Sequence, residues 1–220
     1  MSISTGDTAW ILVSSALVLL MTPGLAFFYG GLVRAKSVIN MMLMSFSAIG
    51  VVSILWVVFG YSVAFTDSGS KWIGKIGLSH LGNAWNELTN NGGTYPIPVL
   101  VFSAFQLMFA VITPALISGA IADRTKFVAW VVFITIWVSI VYFPVAHWVF
   151  YFGNKVGDGA ATGAGWLAGM GVEDFAGGTA VHINAGAAAL AMALLLGKRV
   201  GFRRDPMRPH SLPLVMIGAG

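Results

Sequence analysis

Five stretches of this chain run apolar for longer than the ~20 residues an α-helix needs to cross the hydrocarbon core of a bilayer. They are Ala9–Val33, Val38–Phe65, Tyr95–Ala122, Phe127–Phe152 and Phe175–Leu196, and a sixth run begins at Leu212 and reaches Gly220. Within a membrane every backbone polar group must find its partner inside its own segment, so runs of this length fold as helices. The pattern predicts an all-α, polytopic helical membrane protein, with residues 1–220 forming a single transmembrane unit. The sixth run stopping at the last residue reads as the first part of a longer protein. Composition excludes the soluble alternative: charged residues make up 9% of the chain and mean hydropathy is +0.84, against about 25% charged in soluble domains. The first run has no basic segment before it and no small-residue cleavage site, so it reads as a retained span and not as a signal peptide.

Basic residues set the orientation. Arg34, Lys36, Arg124, Lys126, Lys198, Arg199, Arg203, Arg204 and Arg208 all fall in loops on one side, and only Lys71, Lys75 and Lys155 on the other. The positive-inside rule makes the richer side cytoplasmic and the N-terminus external, in the cell membrane. The same rule accounts for the basic stretch after Leu196 better than a nucleic-acid patch does, and no nucleic-acid partner is expected. Of the two long external loops, residues 66–94 carry Trp72, Trp85 and a short amphipathic turn around Asn83–Leu88. Residues 153–173 contain seven glycines, with Trp166 and Leu167 as a contact point. Pro23, Pro114 and Pro144 fall inside spans, where neighbouring groups can satisfy the carbonyls they leave unpaired and local kinks result.

Polar groups at membrane depth mark function. Asp174 stands just before Gly177, Gly178 and Thr179 at the head of the fifth run. A carboxylate there can cap the first helical turn and suits the positive end of the helix dipole. It can also coordinate a cationic substrate, and the two roles can combine. His182 lies eight residues further on, ~12 Å along a helix, too far for an Asp–His pair. A neutral imidazole presents one donor and one acceptor, suited to a small molecule able to do both, such as water or ammonia. The alternative is a histidine bonded to a neighbouring helix.

Aromatic residues form the third element. Phe105 and Phe109 stand four apart on one helical face, and Trp148, Phe150 and Tyr151 follow His147 at the outer end of the fourth run. They read either as an interfacial belt or as a cage for a small ammonium-type cation. There are no cysteines, which excludes thiol catalysis and disulfides. His80, His147, His182 and His210 are scattered, and no Walker, Gly-x-Ser-x-Gly or His-Glu-x-x-His motif is present. No metal or cofactor is expected, and the chain reads as a non-enzyme.

The blocks Met21–Gly31, Ala104–Ala110, Asp174–Asn184 and Gly197–Phe202, the last followed by Pro209–Pro213, together resemble the ammonium transporter family (Amt/Mep/Rh), over the first half of a member. The resemblance implies about eleven helices in two inverted halves, with a pore in each subunit of a homotrimer. It implies that Phe109 is one of two stacked phenyl gates, His182 the first of two pore histidines, and Asp174 the acid supporting an outer ammonium site. The cage tryptophan of familiar members falls at Phe150 here, with Trp148 two residues earlier. A cytoplasmic regulator of the PII type is implied by the family alone. The implied function is ammonium recruitment at the outer aromatic site, deprotonation, and passage of ammonia through a hydrophobic pore lined by histidine. An ammonium sensor on the same fold is the alternative, and an intramembrane enzyme a more distant one.

Overall fold

The computed structural model describes residues 3–77, 81, 84, 87–89, 96–153, 163–199 and 201–220. His80, Trp85, Tyr95, Lys155, half of the Asn83–Leu88 turn and residues 154–162 of the 153–173 loop lie outside these. Five helical spans cover Thr5–Leu32, Ala35–Phe65, Val99–Ile121, Phe127–Phe150 and Gly178–Leu195, each long and apolar enough to cross a membrane. A further helix runs Leu212–Ala219. The described residues contain no β-strand, only an isolated antiparallel bridge between Leu88 and Pro98.

The helix ends follow local chemistry more closely than hydropathy. The first span starts at Thr5, ahead of the apolar run, because polar side chains organise its first turn. The Thr8 hydroxyl donates to the Ser4 carbonyl at 2.7 Å, and the Ser4 hydroxyl bonds the Asp7 carboxylate. The third span starts at Val99 instead of Tyr95, with Pro98 extended just before it. Pro96 and Pro98 disfavour helical backbone in the residue preceding each of them. The fifth starts at Gly178 instead of Phe175, because Gly177 takes a left-handed conformation (φ 78°) that turns the chain into the helix.

Three of the spans contain a wide π turn: Trp56–Gly60, Val138–Tyr142 and Gly178–Ile183. The second of these ends two residues before Pro144. In an uninterrupted α-helix that ring would clash with the carbonyl one turn back, and a wider turn relieves the contact. Pro23 and Pro114 lie inside continuous α-helix. The Thr113 hydroxyl donates to the Phe109 carbonyl at 2.6 Å, adding a donor in the turn where Pro114 removes one.

The first span packs against the second, the third and the Leu212–Ala219 helix; the second packs on the third and fourth; the third and fourth both flank the fifth. Lipid tails are as apolar as leucine, so close packing and interhelical hydrogen bonds hold such a bundle together rather than water exclusion. Gly60 lies against the Phe143 ring, where a methyl group would come within 2.4 Å of it. Phe143 in turn meets Trp56 and Phe59 edge-on at 5.7 and 5.6 Å. Two of the π turns are thereby joined through one aromatic cluster. Trp56 donates to the Ser103 hydroxyl at 3.1 Å and Trp130 to the Met44 carbonyl at 2.8 Å, tying the second span to the third and fourth. Gly218 approaches the backbone of Gly24 and Phe28 so closely that any side chain would collide. The outward faces carry Leu17, Leu20, Ile54, Val57, Ile136 and Ile140, all exposed, as lipid-facing helices require.

Candidate functional site

The fifth span begins with an anchored turn. Asp174 accepts three backbone N–H groups: Gly178 at 2.9 Å on one oxygen, Thr179 at 2.8 Å and Ala180 at 3.1 Å on the other. These are N–H groups that a helix start leaves unpaired. Asp174 reaches them from upstream of the helix because Gly177 folds the chain back. A β-carbon at Gly177 would stand 2.9 Å from the Val181 side chain, so glycine is needed there for space as well as for φ. Both carboxylate oxygens are engaged with the helix, as the capping reading of Asp174 expects. Phe175 next to it is 91% exposed.

The turn so anchored is the π turn that carries His182. The His182 and Val181 N–H groups both donate to the Gly177 carbonyl, each at 3.0 Å. Regular α-helix resumes at Asn184, whose side-chain amide donates to the Ala180 carbonyl at 3.3 Å. The His182 side chain is exposed on this chain and its ring has no hydrogen-bond partner among the described residues. No three His, Asp or Glu side chains among the described residues converge as a metal ion would require.

Phe105 and Phe109 meet edge-to-face at 4.9 Å with an interplanar angle of 81°, a favourable aromatic geometry. Their span, and the Phe143–Phe150 helix that ends the fourth span, both pack against the π turn of His182. Phe150 itself is half-buried on the main core and has no ring partner among the described residues. The helices that carry Phe105, Phe109 and Phe150 are thus neighbours of the turn that carries His182.

Trp148 is engaged elsewhere. Its indole N–H donates to the Trp72 carbonyl at 2.7 Å, and its ring meets Trp72 at 6.0 Å and Trp166 at 5.4 Å, both edge-on. Trp72 and Trp166 are 5.0 Å apart. Backbone bonds reinforce the cluster, with the Trp166 N–H on the Lys71 carbonyl at 2.8 Å and the Leu167 N–H on the Trp148 carbonyl at 3.0 Å. Trp148 therefore clamps two long loops onto the end of the fourth span. Trp166 and Leu167, read from the sequence as a contact point, make that contact.

His147 was visible in the sequence only as one member of an aromatic cluster. It is fully buried, with Nδ1 3.1 Å from the Ala64 carbonyl and Nε2 3.2 Å from the Ser70 carbonyl, and it stacks on Tyr151 at 4.8 Å. Burial, and secondarily the Asp67 carboxylate, pushes the Tyr151 phenol up to about 12. At the opposite, basic end, Asp123 has a left-handed backbone (φ 59°). Its nearly buried carboxylate binds Arg34 at 3.1 Å and the Ser37 hydroxyl, joining the loop after the first span to the loop after the third. Neither hub's hydrogen bonds have a local sequence signal, since those partners lie more than 70 positions apart.

The profile of the Ammonium Transporter Family matches residues 9–220. The chain is 56% identical over 229 aligned residues to an ammonium transporter of Mycobacterium bovis, covering 97% of this chain and 47% of that protein. Its fold is similar to the crystal structure of Candida albicans Mep2, with a TM-score of 0.78, 33% identity, and coverage of 98% of this chain and 45% of the other. It is similar also to a sensor Amt protein, with a TM-score of 0.79, 26% identity, and coverage of 96% and 50%. The chain spans about half the length of the curated relatives it matches. It is a multi-pass membrane protein, and it belongs to the ammonium transporter family.

Proposed function

We propose that the complete gene product moves ammonium or ammonia across the cell membrane, with its N-terminus outside and a pore in each subunit of a homotrimer. The observation that carries this reading is the placement of His182. Its side chain is exposed on a π turn and has no hydrogen-bond partner among the described residues, and that turn contacts the helices bearing Phe105, Phe109 and Phe150. Taking a bare ammonium ion into hydrocarbon costs on the order of tens of kcal/mol, and neutral ammonia avoids most of that penalty. Phe109 and Phe150, with the Asp174 carboxylate nearby in sequence to the same turn, concentrate ammonium at the outer mouth through the ring faces and the negative charge. A proton then leaves, and ammonia passes the phenyl pair along His182, which offers it one donor and one acceptor. Phe150 replaces a tryptophan in this role and is the weaker cation partner. A PII-type protein on the basic side is the proposed regulator.

A second reading rests on the likeness to the sensor Amt protein: under it, the complete gene product binds ammonium and signals its presence without moving it. Growth decides between them. In cells lacking ammonium transporters, the complete gene product restores growth on limiting ammonium under the transport reading. Normal membrane expression without restored growth would refute transport and leave the sensor reading.

A further inference from the structure

Ala180 is held from both sides by the two ends of the Asp174–Asn184 block. Its N–H bonds the Asp174 carboxylate at 3.1 Å, and its carbonyl receives the Asn184 side-chain amide at 3.3 Å. His182 lies between those ends, on the π turn Gly178–Ile183. Pro144 accounts for the π turn of the fourth span, but no proline occurs from residue 145 to residue 205. The π turn of His182 therefore has another origin.

In a regular α-helix the N–H of Asn184 would go to the carbonyl of Ala180, four residues back. Here it goes to the carbonyls of Thr179 and Val181, so the backbone ladder passes over Ala180. Ala180 is fully buried, and a buried carbonyl without a donor is costly, the more so at membrane depth where water cannot replace it. The Asn184 amide supplies the donor that its own backbone N–H withholds. The extra residue of the π turn is thus kept between two fixed points. Upstream, the Asp174 bonds and the left-handed Gly177 set where the helix starts. Downstream, Ala185 is buried in the main core. Collapse of the turn to α spacing would rotate the residues before Asn184 by about 100° relative to those after it, and the His182 ring with them. Single π turns of this kind recur at functional sites. We propose that Asn184 is a positioning residue for His182: its side-chain amide holds the π register that keeps the imidazole on the exposed face of the fifth span. The functional consequence rests on the proposed role of His182 in ammonium passage.

The test compares Asn184→Thr with Asn184→Val in the complete gene product. The two new side chains have the same shape, so any penalty from losing the asparagine itself is shared. Only threonine can donate to the carbonyl four residues back, as Thr8, Thr113 and Thr135 do in this structure. Protein carrying isotope-labelled histidine is read in lipid vesicles by solid-state NMR, with the His182 signal identified by its absence from His182→Ala. Amide exchange over residues 178–186 and the ammonium-dependent response are followed on the same preparations. In Asn184→Val the His182 signal should move or split, and exchange should rise roughly two- to ten-fold, as expected for one hydrogen bond. Asn184→Thr should restore both. Thr135→Val, which removes a bond of the same kind from the fourth span, should leave both as in the parent. A parental His182 signal in Asn184→Val would overturn the proposal, and so would an equal displacement in Asn184→Thr or Thr135→Val. The ammonium-dependent response should fall in Asn184→Val with the displaced fraction and recover in Asn184→Thr. A displaced signal with a parental response would support Asn184 as the positioning residue and count instead against the role of His182 in passage.

Discussion

Asp174 and Thr179 are joined by a 2.8 Å hydrogen bond in which the side-chain carboxylate of the first accepts the backbone N–H of the second. With the Gly178 and Ala180 bonds it fixes the start of the fifth span, and so the turn on which His182 stands. The acid thus acts on the histidine through backbone geometry.

Removing that anchor should cost stability before it costs chemistry. Asp174→Ala is expected to lower stability by about 1–3 kcal/mol, the range for losing a cap and its charge-assisted bonds. Asp174→Asn, which keeps an acceptor, should lose less. Melting temperatures of the purified variants check this. A parental value for Asp174→Ala would remove the anchoring role.

Gly177 carries two separable constraints. Gly177→Ala should destabilise by about 1–2 kcal/mol from the left-handed backbone alone, with an added cost from the 2.9 Å approach to Val181. Trimming the neighbour, in Gly177→Ala/Val181→Ala, should recover only the steric part relative to Val181→Ala. Full recovery in a double-mutant cycle would show that backbone conformation contributes nothing.

Trp148→Phe deletes the indole N–H that bonds the Trp72 carbonyl while keeping an aromatic ring. Amide hydrogen exchange at Trp166 and Leu167, whose N–H groups bond the Lys71 and Trp148 carbonyls, should accelerate, with the Met44–Trp130 region unchanged. Equal protection in parent and variant would separate Trp148 from the loop clamp.

Tyr151 gives a pH dependence with a definite sign. Its phenol is raised from 10.0 to about 12 by burial first and Asp67 second, so the folded protein favours the neutral form. Its stabilising contribution is complete below pH 10 and is lost as pH rises through about 12, because the unfolded chain ionises first. Melting temperature should therefore fall across that window, and less steeply in Tyr151→Phe. Identical slopes would exclude Tyr151 as a source.

Hydropathy alone located the five spans, because length and apolarity are what a bilayer demands. Their ends were less legible: Pro98, Gly177 and the polar turn at Ser4–Thr8 act through backbone geometry that hydropathy ignores. The Asp174 cap was readable because donor and acceptor lie within six residues. The three π turns were not, since over five or six positions a π spacing and an α spacing place apolar residues almost alike. The Trp72–Trp148–Trp166 cluster, the His147 contacts and the Arg34–Asp123 pair join residues far apart in the chain, and no local pattern announces such pairings. Trp148 shows the consequence: its residue type suggested a cation cage, while the contacts by which it ties two loops to the fourth span had no local signal.

The central claim is that His182 serves ammonium passage and not folding. The complete gene product in proteoliposomes on a solid-supported membrane, given a step in ammonium concentration, tests it directly when internal pH is followed on the same vesicles. The account predicts a saturable ammonium-dependent response, as current or as internal pH change, that is lost in His182→Ala while the melting temperature stays at the parental value. A correctly inserted His182→Ala protein that responds at the parental rate and selectivity would contradict it.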